Sequence, residues 1–197
     1  MSNYNLHDYY ARRAKQEDFL SRAVYKLQEI EQRFRLFKTG QTVLELGAAP
    51  GSWTQYVLPK IGTKGDILSL DLQKNEVKAD NLVTLIADIL AGDLEQLIDK
   101  TRFKSCDVLL SDLAPKTTGI KLQNQIDSLE LAHRSYELAQ RYLRTNGNFV
   151  CKIFQSQEME ELTAKIKTSF DQIYLFRPKA TRKNSTEIYI IGQGWMN

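Results

Sequence analysis

The chain predicts an α/β fold: a mostly parallel sheet with helices on both faces and an antiparallel pair of strands at one edge. Three observations carry this. Short apolar β-type runs alternate with helical segments through most of the sequence, the pattern of repeated strand–helix–strand units. The first of these runs breaks into a glycine loop, LELGAAPGSW, from which a helix starts. Near the end, QIYLFRP and EIYIIG are separated by about ten residues with no helical stretch between them, which argues for antiparallel pairing.

The elements follow in order. Residues 1–18 are polar and aromatic and read as a basic, aromatic N-terminal arm on a single domain spanning 1–197. Residues 20–35 place Ala23, Val24, Leu27, Ile30 and Phe34 at helical spacing. KTGQ (Lys38–Gln41) is a turn, and the first strand covers Thr42–Leu46. A helix then runs from Ser52, whose hydroxyl can cap it, to Lys60, ended by Pro59 and Gly62. DILSLDL (Asp66–Leu72) and NLVTLIAD (Asn81–Asp88) are the next two strands. A helix over Asp93–Lys100 leads to CDVLLSDLAP (Cys106–Pro115), a buried fourth strand. Gln125–Arg144 is a long helix, Asn146-Gly147 a turn, NFVCKIF (Asn148–Phe154) the fifth strand and Met159–Phe170 a helix before the final pair.

Composition narrows the function. A chain of 197 residues can bury a proper core. No run is apolar enough to span a membrane, and the N-terminus lacks the apolar stretch of a signal peptide, so a cytoplasmic protein is expected. Cys106 and Cys151 fall in or beside strands without metal spacing and read as reduced core thiols. With only His7 and His133, a histidine-centred triad or a metal site is disfavoured. The net charge of +3 is unevenly spread: residues 1–40 hold eight Lys/Arg against five Asp/Glu, and residues 177–187 hold four against one. Positive charge thus gathers near the two ends of the chain around a slightly acidic middle, which suits a polyanionic partner.

The glycine loop marks the ligand site. In an open α/β sheet a nucleotide-like ligand docks outside the carboxyl end of the first strand. Gly47 and Gly51 allow close backbone approach there. The loop is neither GxGxxG nor a phosphate loop ending in Lys-Ser/Thr, so a nucleoside cofactor is favoured over a triphosphate. Asp71, Asp88 and Asp112 fall at the carboxyl ends of the next three strands and line the same crevice. Asp71 stands 20 residues after Gly51, the spacing at which a carboxylate accepts hydrogen bonds from a ribose diol. A dinucleotide oxidoreductase would use the loop and Asp71 but would favour the third glycine, which is missing.

An ordered series of motifs now becomes specific: SRAVYKLQEI with Lys26, LELGAAPGSW, SLDL with Asp71, IADI with Asp88, SDLAP with Asp112, CKIFQ with Lys152 and EIYIIG with Glu187. Over nearly its whole length the chain resembles the FtsJ/RrmJ family of S-adenosylmethionine-dependent RNA 2′-O-ribose methyltransferases. The resemblance implies a Rossmann-like class I methyltransferase fold with seven strands. It implies a catalytic tetrad of Lys26, Asp112, Lys152 and Glu187, and cofactor contacts by Gly47, Gly51, Trp53, Asp71, Asp88 and Asp112. Short members without a C-terminal extension resemble the enzyme that modifies a uridine in the A loop of large-subunit ribosomal RNA. That makes ribosomal RNA, free or within the large subunit, the expected partner of a monomeric enzyme. A transfer RNA ribose and a nonenzymatic RNA-binding or ribosome-assembly role are the alternatives. The chain departs from the family at Lys116, where Asn is usual, and in the loop KATRKNST; both changes keep or add positive charge.

The chemistry suits those residues. Attack of a ribose 2′-oxygen on a sulfonium methyl has a good leaving group, so much of catalysis is orientation. The hydroxyl needs its proton removed or its oxygen aimed. Lys152, flanked by Val150, Cys151, Ile153 and Phe154, has no ordinary reason to lie in an apolar strand unless its ammonium reaches a cleft. It serves either as the base or as a charge that orients the oxygen. The RNA is expected across the basic segments: Arg12, Arg13, Lys15 and Arg22 with Tyr9 and Tyr10 for stacking, and Arg177, Lys179, Arg182 and Lys183 as the opposite wall.

Overall fold

The computed structural model describes residues 6–116 and 118–196, with the side chains of residues 6–8 left aside. The first five residues of the expected arm therefore lie outside the described residues, as does the side chain of His7. The elements run α1 (Leu6–Gln16), α2 (Val24–Phe34), β1 (Thr42–Leu46), α3 (Ser52–Ile61), β2 (Asp66–Asp71), β3 (Leu82–Ile86), α4 (Leu94–Asp99), β4 (Cys106–Ser111), α5 (Lys121–Tyr142), β5 (Leu143–Phe154), α6 (Met159–Lys167), β6 (Phe170–Phe176) and β7 (Glu187–Trp195). The seven strands form one sheet in the order β3-β2-β1-β4-β5-β7-β6. Pairings from β3 through β5 are parallel, while β7 runs antiparallel between β5 and β6. Strand order reverses between β1 and β4, so the crevice for a ligand opens at their carboxyl ends.

The sheet is apolar on both faces, as helices on both sides require. Leu44, Leu109, Phe149, Cys151 and Ile190 pack with α4, α5 and α6. Val43, Val108, Leu110, Val150 and Ile191 pack with α2 and α3. Side chains alternate along a strand, and continuing this second set toward the crevice reaches Glu45 on β1, Asp112 just past β4, Lys152 on β5, and Tyr189 and Glu187 on β7. One face of the sheet, apolar in its middle, thus ends in a polar row. Glu187 joins that row from the first residue of its strand because β7 is antiparallel: its start lies where the parallel strands end. Both cysteines are buried free thiols, and burial pushes each upward in pKa.

Four local expectations change. The segment read as an arm contains α1, anchored by buried Ala14 against Val24, Tyr25 and Ala180. Ser52 does not cap α3; it is the first helical residue, and its hydroxyl pairs with that of Ser21 at 2.7 Å. Pro59 sits inside α3, within its last turn, and the helix ends at Gly62 with φ +65°. Asn146-Gly147 does not separate two elements: β5 contains it, with Asn146 at φ +64° and a register shift against β4. From Leu143 to Asn148 β5 advances five residues while β4 advances two, from Cys106 to Val108, so three extra residues are accommodated inside the strand around the left-handed Asn146.

Candidate active site

A cleft of about 290 Å³ opens at the carboxyl ends of β1, β2 and β4, with Gly47, Asp71, Asp88, Asp112 and Lys116 among its lining residues. Four of the six residues expected at a cofactor therefore converge. Asp71 Oδ2 accepts the N–H of Ala49 and Oδ1 that of Gln73, each at 2.9 Å. A carboxylate offers about four acceptor positions, so two remain for a diol in the cleft. Asp88 Oδ1 accepts the Leu90 N–H at 2.9 Å in the turn after β3.

Gly51 and Trp53 stand at the start of α3 and are not among the lining residues of this cleft. The Trp53 ring is buried, donates its indole N–H to the Ala23 carbonyl at 2.8 Å and packs beside Tyr189. Its side chain belongs to the α2–α3 core, leaving only its backbone in the first turn of α3 as a possible ligand group. The glycines also have another reason to be glycine. Gly47 has φ +76°, and a Cβ there would lie 2.9 Å from the Leu113 nitrogen. Gly51 has φ +122°, and its Cβ would meet Asn75 Oδ1 at 2.3 Å. The close approach is to the protein's own β4 exit and to the segment after β2, which together hold the loop in its curve.

Next to the cleft the expected tetrad comes together from four separate parts of the chain. Lys152 Nζ lies 3.0 Å from Asp112 Oδ1 and also donates to the Asp112 main-chain carbonyl. Lys26 Nζ lies 2.7 Å from Glu187 Oε1. Both pairs are largely buried: the side chains are 6% and 15% exposed in the first and 12% each in the second. Burial alone would raise the Asp112 carboxyl. The charges of Lys152 and Lys26 outweigh it, with hydrogen bonds from Tyr189 and Lys152, and hold Asp112 below its ordinary value.

Two participants had not been singled out from the sequence. Tyr189 donates its hydroxyl to Asp112 Oδ1 at 2.7 Å. Burial, followed by the nearby charges of Asp112 and Glu187, drives its pKa well upward, so it stays a donor. Its signal was its place two residues from Glu187, on the same face of β7. Glu45 is the second. It is 1% exposed, accepts the Thr54 hydroxyl at 2.6 Å through Oε2, and leaves Oε1 without a hydrogen-bond partner. Thr54 in turn accepts from Asn75 at 2.7 Å. This buried chain ties β1 and α3 to the segment whose Asn75 limits Gly51. A lone charge inside TVLEL was the cue.

Burial pushes the Glu45 carboxyl up to about 8; hydrogen bonds from Thr54 oppose the rise, and Asp112 and Asp71 add to it. The group is therefore protonated at neutral pH in the folded state but ionised in the unfolded chain. Its contribution to stability is complete below the unfolded value of 4.5 and is lost as pH rises toward about 8. Glu45→Gln is expected to flatten that fall, by on the order of 1 kcal/mol or more between about pH 5 and 8. Urea unfolding at several pH values checks this; a variant as pH-sensitive as the parent counts against a neutral buried carboxyl.

The candidate RNA residues also regroup. Arg22 donates to the Ala180 carbonyl and stands 5.7 Å from the Tyr10 ring. Arg13 pairs with Glu17 at 2.7 Å and lies over Tyr25. The two basic segments, expected as facing walls, are joined through these contacts into one surface. Arg177 is exposed and donates to the carbonyls of Arg182, Lys183 and Ser185, bracing its own loop. Arg12 and Lys15 lie on exposed α1, and Lys179, Arg182 and Lys183 lie on the loop between β6 and β7.

Comparison with known proteins gives the family. The model of the FtsJ-like methyltransferase family matches residues 19–195. A Bdellovibrio bacteriovorus protein named ribosomal RNA large subunit methyltransferase E is 44% identical over 190 residues, covering 96% of this chain and 97% of its own length. The protein of the same name from Syntrophobacter fumaroxidans is 39% identical, covering 96% of each chain. Among solved structures, a Plasmodium falciparum chain described as a ribosomal RNA methyltransferase superposes with a TM-score of 0.79 at 24% identity, over 91% of this chain and all of that one; at that identity it supports the fold. The family match covers the whole sheet together with the cleft and the four converging charged residues, and the chain belongs to the FtsJ-like methyltransferase family.

Proposed function

We propose that the chain is an S-adenosylmethionine-dependent RNA methyltransferase that modifies a ribose 2′-hydroxyl of large-subunit ribosomal RNA, a uridine of the A loop being the expected target. It would act as a cytoplasmic monomer. The names of the relatives support ribosomal RNA as the substrate class. The observation that carries the chemistry is the convergence of Lys26, Asp112, Lys152 and Glu187 beside the Asp71–Asp88–Asp112 cleft.

The cleft fits a nucleoside cofactor. Asp71 has acceptor positions to spare, and the glycine loop brings backbone to the cleft's edge. Asp71 would hold the ribose diol, Asp88 and Asp112 would line the remaining contacts, and Trp53 would contribute through its backbone. Bound S-adenosylmethionine supplies an electrophilic methyl group. The rest of the task falls to the chain's own residues. Lys152 spends two of its three N–H bonds on Asp112, which fixes the third for an incoming 2′-oxygen. In that position it can aim the oxygen and stabilise charge developing on it, or take its proton after first losing its own. Asp112, itself fixed by Tyr189, sets where Lys152 points. The Lys26–Glu187 pair places a second ammonium beside the site where the nucleotide's oxygens must pass.

The test is methyl transfer from labelled S-adenosylmethionine to large ribosomal subunits from a strain lacking this gene. The labelled nucleotide should resist alkaline cleavage, since a methylated 2′-oxygen cannot attack the adjacent phosphate. Label on a nucleotide that alkali still cleaves would exclude the ribose, and label confined to transfer RNA would exclude the ribosomal substrate.

A further inference from the structure

We propose that the groove between α1, α2 and the segment after β6 seats one base of single-stranded RNA next to the nucleotide presented to the tetrad. This rests on the RNA reading above and adds the subsite that reading lacks. The groove has a volume of about 610 Å³ and is lined by Tyr10, Arg13, Tyr25, Arg33, Phe176 and Lys179 among others. That size is within the range of about 300–1,000 Å³ that encloses small organic ligands.

Its walls have the chemistry of a base seat. Half-buried Tyr10 is backed at 5.3 Å by the buried Tyr25, and Phe176 is half-buried with the Arg33 guanidinium 5.7 Å from its ring. Aromatic and guanidinium planes accept any base by stacking. Arg33 and Lys179 are exposed, and neither side chain makes an ion pair among the described residues. The groove's acidic member, Glu29, is engaged: its carboxylate accepts the N–H groups of Lys179 at 2.6 Å and Ala180 at 2.9 Å. It therefore pins the loop that carries Lys179, and Lys179 and Arg33 remain exposed charges beside the groove.

The placement relative to the tetrad comes from α2. Lys26, Glu29 and Arg33 follow the i, i+3, i+7 spacing of one helix face. At 1.5 Å per residue Arg33 is about 10 Å beyond Lys26 along that face. A strand whose target ribose lies at Lys26 and Lys152 thus reaches the groove within about one or two nucleotides. Pro178, Ala180 and Thr181 on the same loop are buried, and Ala180 packs with Ala14, Val24 and Tyr25, which fixes the loop against α1 and α2.

Two measurements test it, both with large subunits lacking the modification. The first is steady-state kinetics of an Arg33→Ala/Lys179→Ala variant, both positions being exposed. We expect KM for subunits to rise about tenfold, kcat to stay within about twofold, and the salt dependence of binding to flatten by about 0.7 per lost phosphate contact. The second places a photo-crosslinking benzoylphenylalanine at Gln32, which also lines the groove, and maps the adduct by reverse transcription. The stop should fall within about two nucleotides of the methylated ribose. Unchanged KM and salt slope, a distant RNA stop, or an adduct only to ribosomal protein each overturns the base seat. If the parent methylates no RNA, the functional reading falls first; if it does and the groove results are negative, only the subsite falls.

Discussion

Lys152→Ala is expected to lower single-turnover methyl transfer by at least about 10²-fold, the usual weight of a positioned proton-transfer group, while leaving S-adenosylmethionine affinity within a few-fold. The affinity should persist because Lys152 meets the Asp112 carboxylate and carbonyl and does not line the cleft. Asp112 keeps the Tyr189 hydroxyl and the charge of Lys26 in the variant. Some stability is still lost, since removing one partner of a buried ion pair costs about 3–5 kcal/mol, so activity must be compared below the variant's melting temperature. Lys152→Arg separates the two roles. A guanidinium cannot give up its proton in a protein, so an active arginine variant assigns Lys152 to orientation and charge. Near-parental transfer by the alanine variant would remove Lys152 from catalysis altogether.

What made this site legible was alternation. The apolar runs gave strand positions, and strand ends gave Asp71, Asp88 and Asp112 a common crevice. The parity of Val150 and Lys152 on β5 put the ammonium beside Asp112, because Ser111 and Cys151 are register partners on parallel strands. The antiparallel run of β7 brings Glu187, its first residue, to the same end of the sheet, but as a site residue Glu187 came only through the resemblance to a family. The joining of Lys26 to Glu187 was not legible in that way. They are far apart in sequence, and only the resemblance to a family brought them together. Glu45 and Tyr189 escaped because each looks like an ordinary strand residue until its neighbours on other strands are known. Trp53 shows the opposite case: it stands beside a ligand loop, yet its large ring packs between α2 and β7, which its neighbours in sequence do not reveal. That the N-terminal arm carries a helix does not show in its own sequence, because a short polar helix gains little from its own periodicity. Its order comes from Ala14 and Tyr10 packing against α2 and the loop near residue 180, a contact no local window contains.

The second large effect is expected at Asp71, and here the structure changes what the experiment must control. Removing a charged acceptor typically costs about 1.5–3 kcal/mol, so Asp71→Ala should weaken S-adenosylmethionine binding by about 10- to 150-fold. But Asp71 also accepts the backbone N–H groups of Ala49 and Gln73, so alanine frees the very loop that carries Gly51. Loss of affinity could then come from a displaced loop. Asp71→Asn distinguishes the causes, because its carbonyl oxygen can keep one of the two backbone bonds while its amide end gives up acceptor capacity and charge. If the carboxylate holds the diol directly, calorimetry should show the asparagine variant nearly as impaired as the alanine variant, with a melting temperature closer to the parent's. If the residue matters only as a loop brace, asparagine should restore affinity and melting temperature together. Parental affinity in both variants would place the nucleoside elsewhere. Direct contact is the outcome we propose, because Asp71 lines the cleft and its two backbone bonds leave about half of the carboxylate's acceptor positions unspent.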